Sequence, residues 1–219
     1  MIDFNKINSP EYQQRKKERE EQERLDQELC EHTACFTGHR PQSLSMFGFD
    51  MKHPGYDSLK KSLNEAIELC ITKENIKRFL SGGAQGVDQI SYWCVHKLKS
   101  KYPHVKNVVA VPFKNQHIKW TNQDSIKWYF KMLERADEVI YVDELNDYRY
   151  CVNEVEIGTY HIAKMSKRNE YMVDESEIVI AVYDGSKKGG TRNCYNYACK
   201  KCKRIYRINP NFNFKLEIY

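Results

Sequence analysis

Apolar residues along this chain fall into two alternating patterns, short compact runs and longer stretches in which they recur every third or fourth position. The compact runs at 32–36, 76–80, 107–111, 138–142, 177–182 and 204–208 have the length of buried strands. Between them the spacing turns helical. Leu59, Leu63, Ala66, Ile67 and Cys70 mark one amphipathic helix over about 55–72, and Val87, Ile90, Cys94 and Leu98 mark the next. Further helices follow from Ile126, Tyr129, Phe130 and Leu133, from Ile162, Met165, Met172 and Val173, and from Tyr195, Ala198 and Cys202. This alternation predicts a Rossmann-like α/β fold, a mainly parallel sheet with helices on both faces, in which the Phe79 and Val179 segments are neighbouring strands.

Residues 11–31 follow neither pattern. Leu25 and Leu29 are the only apolar pair at helical spacing in a run dominated by Glu, Gln, Arg and Lys, which predicts a solvated, charged N-terminal helix. The expected organisation is a charged helical extension over residues 1–32 and one ligand-binding domain over 33–219. Residues 143–160, rich in Tyr, Asn, Asp and Glu, read as a loop that could serve as a lid. The tail beyond Pro210 predicts nothing.

Candidate chemistry sits where the pattern changes. Ser81, Gly82, Gly83, Ala84, Gln85, Gly86, Val87 and Asp88 join a strand to a helix through a turn whose glycines let a ligand approach the backbone. The following helix offers free N–H groups to an anion. The turn is neither the dinucleotide fingerprint nor a Walker loop; alone, it reads equally as a glycine-rich turn without a ligand. A second such turn runs from Asp184 through Gly189 and Gly190 to Thr191, placed to cap the last helix. Two turns of this kind point to a phosphate-bearing ligand. Thr37, Gly38, His39 and Arg40 form a loop after the first strand, where open α/β sheets place ligands. Arg40 is a planar donor fork for phosphate or a surface arginine, His39 a site residue or turn packing. Asp88 complements the helix dipole or receives a sugar hydroxyl.

Composition narrows the classes. The 219 residues carry 35 basic and 30 acidic side chains, a net +5 that does not by itself indicate nucleic-acid binding. The eight cysteines are scattered and no secretory signal is recognisable, so a reducing, cytoplasmic setting is expected. No apolar run approaches the roughly 20 residues of a membrane span. Cys199 and Cys202 lack a second metal-binding pair and the histidines show no ligand spacing, so no metal site is expected, and the absence of a nucleophile elbow removes the easiest hydrolase reading.

Taken in order, Thr37-Gly38-His39-Arg40-Pro41, the GGAQGVD turn, Pro112-Phe113 with Gln116 and Trp120, Arg168-Asn169 with Tyr171 to Asp174, and Gly189-Gly190-Thr191 resemble the YpsA-like branch of the SLOG superfamily. That Rossmann-like group also holds the LOG phosphoribohydrolases and the DprA/Smf DNA-processing proteins. The resemblance implies a nucleotide or nucleotide-derived ligand such as an ADP-ribose compound, held by Thr37 to Arg40, Ser81 to Ala84, Gly86, Asp88, Arg168, Asn169, Asp184 and Gly189 to Thr191. In LOG enzymes an arginine matching Arg168 and a glutamate after the second glycine motif carry nucleosidase chemistry. Arg192 follows that motif in this chain, so a ligand sensor or sequestering protein is expected, with Arg168 and Asp88 the catalytic candidates if a phosphoribohydrolase is the answer. Asp184, Glu154 and Glu156 are the other carboxylates able to replace the glutamate. The expected partner is a small-molecule nucleotide, with no other cofactor required. Homo-oligomer formation is left open and no membrane is expected; nucleic acid is set aside as the main partner because no single element alternates basic and aromatic residues, with a single-strand-binding adaptor using the basic C-terminal third as an alternative function.

Overall fold

The computed structural model describes residues 9–44, 48–50, 52–149 and 155–219. Its main elements are α1 (Pro10–Glu31), β1 (Thr33–Gly38), α2 (Asp57–Lys73), β2 (Arg78–Ser81), α3 (Val87–Leu98), β3 (Lys106–Val111) and α4 (Gln123–Arg135). They continue with β4 (Glu138–Tyr141), α5 (Ile162–Asp174), β5 (Ile178–Val182), α6 (Gly190–Lys200), β6 (Arg204–Asn209) and β7 (Lys215–Ile218). The strands form one seven-stranded sheet in the order β4-β3-β2-β1-β5-β6-β7. All pairings are parallel except that of β7 with β6. This is the Rossmann-like arrangement the alternation predicts.

The neighbour relation differs from expectation. β1 lies between the Phe79 and Val179 segments, pairing Ala34 with Phe79 on one side and Cys35 with Val179 on the other. The chain lays β2, β3 and β4 outward from β1, then returns to set β5 against the other edge of β1. Connections leaving β1 and β5 therefore run in opposite directions and open a crevice at the carboxyl ends of those strands.

Alternation along the strands sorts side chains into two layers. Ala34, Phe36, Phe79, Ile178, Ile180 and Val182 pack against Leu63 and Ile67 of α2 and Ile90 and Val95 of α3. Cys35, Leu80, Val108, Ala110, Val179 and Ala181 pack against Tyr171 and Met172 of α5 and Cys194 and Ala198 of α6. On the first face, Tyr129 and Met132 of α4 cover Val109 and Val111. Each fully buried Val, Leu, Ile, Phe or Met among them contributes roughly 1.5–3 kcal/mol, so stability resides in these layers and the loops at the sheet edge are left for function. No residue of α1 is buried; pairs such as Lys16–Glu20 and Arg19–Glu23 line its surface. Among the described residues no helix is long and apolar enough to cross a membrane.

Candidate ligand site

The crevice between β1 and β5 holds a cavity of about 490 Å³. One wall depends on how closely the end of β1 crosses the start of α3. A β-carbon at Gly38 would lie 2.5 Å from Val87 Cγ1, and one at Gly86 would lie 2.8 Å from the His39 carbonyl oxygen. That carbonyl accepts a hydrogen bond from Val87 N. Gly38 and Gly86 thus make the crossing possible.

The first glycine turn is filled by the protein itself. Arg168 reaches from α5 across Gly82, where a β-carbon would fall 1.1 Å from its Nη1. The same Nη1 lies 3.0 Å from Asp88 Oδ2, and both side chains are buried. Asp88 Oδ2 also accepts from Ala84 N at 3.2 Å, while Gln116 Nε2 donates to the Gly82 carbonyl oxygen at 3.2 Å. Gly83, at φ +68, turns towards Tyr129, Met132 and Val109. The anion at the N-terminus of α3 is therefore the chain's own carboxylate. Ser81, Gly82, Gly83 and Gly86 do not line the cavity, whereas Ala84, Asp88 and Arg168 do. Arg168 is 6 % exposed, and its Nε has no partner among the described residues.

The second glycine turn is open. α6 begins at Gly190, and Gly189 occupies the capping position expected for Thr191, because its φ of +113 brings the chain into the helix earlier. No side chain caps this end. A β-carbon at Gly189 or Gly190 would meet no atom within 4 Å. The first N–H groups of a helix have no acceptor within it, and those of α6 border the cavity beside Lys188.

Thr37, Gly38, His39, Arg40, Asn169 and Asp184 complete much of the lining. Asp184 Oδ1 lies 3.0 Å from His39 Nε2 and accepts from Ser186 N at 2.8 Å. Burial pushes this carboxyl up, but the bonds from Ser186 and the nearby His39 outweigh it and hold its pKa below the ordinary 3.8. Both carboxylates on the cavity wall are thus already bonded. Glu156 is not part of the wall, and Glu154 lies outside the described residues. At the place where LOG enzymes carry glutamate, Arg192 Nη1 donates to the Lys187 carbonyl oxygen at 2.7 Å. Among the described residues no cluster of three or more His, Cys, Asp or Glu side chains could hold a metal ion. Sequence reasoning missed Phe36, Gln42, Ser43, Met165, Ser186 and Lys188 as lining residues. Met165 was open to detection, since it precedes Asn169 by one helical turn on the same face of α5.

Comparison with known proteins completes this picture. Residues 34–211 match the model of the YspA SLOG family. The SPbeta prophage-derived protein YoqJ of Bacillus subtilis is 52% identical over 170 residues, covering 77% of this chain and 97% of YoqJ. A UPF0398 protein of Halalkalibacterium halodurans is 31% identical over 153 residues, covering 70% of this chain and 72% of that protein. Among solved structures, DNA processing protein A of Streptococcus pneumoniae shares the fold at a TM-score of 0.50 and 12% identity, over 80% of this chain but 49% of that one. DNA processing protein A of Helicobacter pylori, described as having a single-stranded DNA binding mode, aligns at a TM-score of 0.49 and 19% identity, over 81% of this chain and 65% of that one. This chain therefore spans less than two thirds of either solved protein. The expectation that sets nucleic acid aside is contradicted by the first of these structures, in which a protein named for processing DNA carries this fold.

Proposed function

Because the chain belongs to the YspA SLOG family, we propose that the cavity between β1 and β5 binds a phosphorylated nucleotide or nucleotide-derived compound of the ADP-ribose type. The protein acts as a sensor or a sequestering agent. The observation that carries this reading is the emptiness around Gly190, where neither internal packing nor a positive φ requires a glycine. A ligand phosphate against the α6 N–H groups supplies the missing reason for it. Lys188, Arg40 and the unpartnered Nε of Arg168 add positive charge on the surrounding walls.

Binding without turnover follows from the state of the carboxylates. Breaking an N-glycosidic bond calls for a group that stabilises an oxocarbenium-like sugar or activates water. Asp88 is committed to Arg168 and Ala84, Asp184 to His39 and Ser186. Ground-state contacts to phosphate need neither carboxylate, so affinity survives where rate acceleration does not. The test is to incubate the purified protein with AMP, NAD, ADP-ribose and cyclic ADP-ribose isomers, with a single-stranded oligonucleotide as competitor, and to analyse bound and free fractions by mass spectrometry. Intact compound in the bound fraction is expected. Free base or ribose phosphate in stoichiometric excess over protein, abolished by Arg168→Ala, would establish an enzyme instead.

A further inference from the structure

The first helical face carries a second feature that shares no residue with the cavity. A hollow of about 350 Å³ has Ile90, Trp93, Cys94 and Trp128 as its floor and Lys52, Lys60 and Lys97 at its rim. A neighbouring hollow of about 280 Å³ shares Lys52 and Trp128 with it and adds Phe49, Lys127 and Lys131. Together they form one trough with an aromatic floor and a cationic edge.

The charge balance favours an anion. Asp50 and Asp124 line the second hollow, and Asp57 lies 3.3 Å from Lys60. Among the described residues Lys52, Lys97, Lys127 and Lys131 make no ion pair. The two indoles meet edge to face with centroids 5.2 Å apart, and Lys131 Nζ stands 5.1 Å from the Trp128 ring centre. Both tryptophans remain half-buried. Two large rings left part-exposed among unpaired lysines suit a partner that is flat and apolar in one part and anionic in the next.

We propose that this trough binds single-stranded nucleic acid, with bases stacked on the exposed indole surface and phosphates neutralised by Lys52, Lys97 and Lys127. A single strand presents its base faces at spacings set by a charged backbone, which is what aromatic and lysine groups in one groove accommodate. A duplex offers the same phosphates but hides the base faces. An acidic peptide offers charge without a planar surface to stack. The proposal rests on the composition of the trough and is independent of what the cavity holds.

Fluorescence anisotropy with a labelled oligothymidylate of about 15 nucleotides tests it. The strand is expected to bind at low salt and to weaken steeply as salt rises, because counterions are released from each neutralised phosphate. Tryptophan emission should be quenched on binding. Trp128→Ala is expected to lower affinity about tenfold, the loss of one stacking platform. Lys97 and Lys127 are exposed, so the double change Lys97→Glu with Lys127→Glu keeps the fold while cutting affinity at least tenfold and flattening the salt dependence. Absence of binding at low salt overturns the proposal. So does a duplex of the same length binding equally well, or parental affinity in both trough variants. A loss confined to Gly190→Val also overturns it, since that places the strand in the cavity.

Discussion

A β-carbon added at Gly82 would fall 1.1 Å from Arg168 Nη1, whereas one added at Gly190 meets no protein atom within 4 Å. The two glycines look alike in sequence, each in a turn between a strand and a helix, but one makes room for a side chain of its own protein and the other faces open space. No pattern in the chain distinguishes them, because the residue that fills the first turn comes from α5, far along the sequence. The prediction at this scale is that Gly82→Ala displaces Arg168 and leaves the buried Asp88 carboxylate unpaired, a loss of about 3–5 kcal/mol. Urea denaturation would show it as a lowered midpoint. An unchanged midpoint would mean that the Arg168–Asp88 contact carries no stability.

Among the elements, α5 shows how a residue is aimed. Lys164 and Arg168 lie one turn apart and therefore share a face. Lys164 Nζ is 2.8 Å from Asp143 Oδ2 and donates to the Glu156 carbonyl oxygen at 2.7 Å, while Gly158 N donates to the same Asp143 oxygen at 2.8 Å. This buried pair pins the start of α5 and part of the 143–160 segment, and so sets where Arg168 enters the site. Asp143→Ala alone strands the lysine and is expected to destabilise by about 3–5 kcal/mol. Adding Lys164→Met should recover much of that loss, since a buried ion pair and an apolar replacement come close to breaking even. Chemical denaturation of both variants decides it, and a double variant no more stable than Asp143→Ala contradicts this role. Helices with a clear apolar stripe were legible to within a few residues; for example, the helix read at about 55–72 spans Asp57–Lys73. The pinned segment was not, because polar residues read as loop whether they are solvated or paired across the fold. β7 escaped for another reason. It is a four-residue edge strand with both ends exposed, too short for alternation to register.

At the scale of the molecule, the return of the chain to the far side of β1 creates the cavity, since it divides the loops after β1 and β5. Strand-helix alternation predicts the class of fold but not the order of strands, which is why β1 was not recognised as central. The same limit hid the lysine and tryptophan trough. Its rings come from α3 and α4 and its lysines from α2, α3, α4 and the 48–53 segment, so no single element shows the alternation a sequence reader looks for. The most direct measurement of the central claim is isothermal titration of ADP-ribose and AMP into the parent protein and into Gly190→Val, with thermal unfolding of both. The account predicts equal unfolding midpoints, because a β-carbon added at Gly190 meets no protein atom within 4 Å, and an affinity at least about tenfold lower in the variant, since the valine displaces phosphate from the α6 N–H groups. Equal affinity in both proteins, or no binding of either compound to the parent, would contradict it.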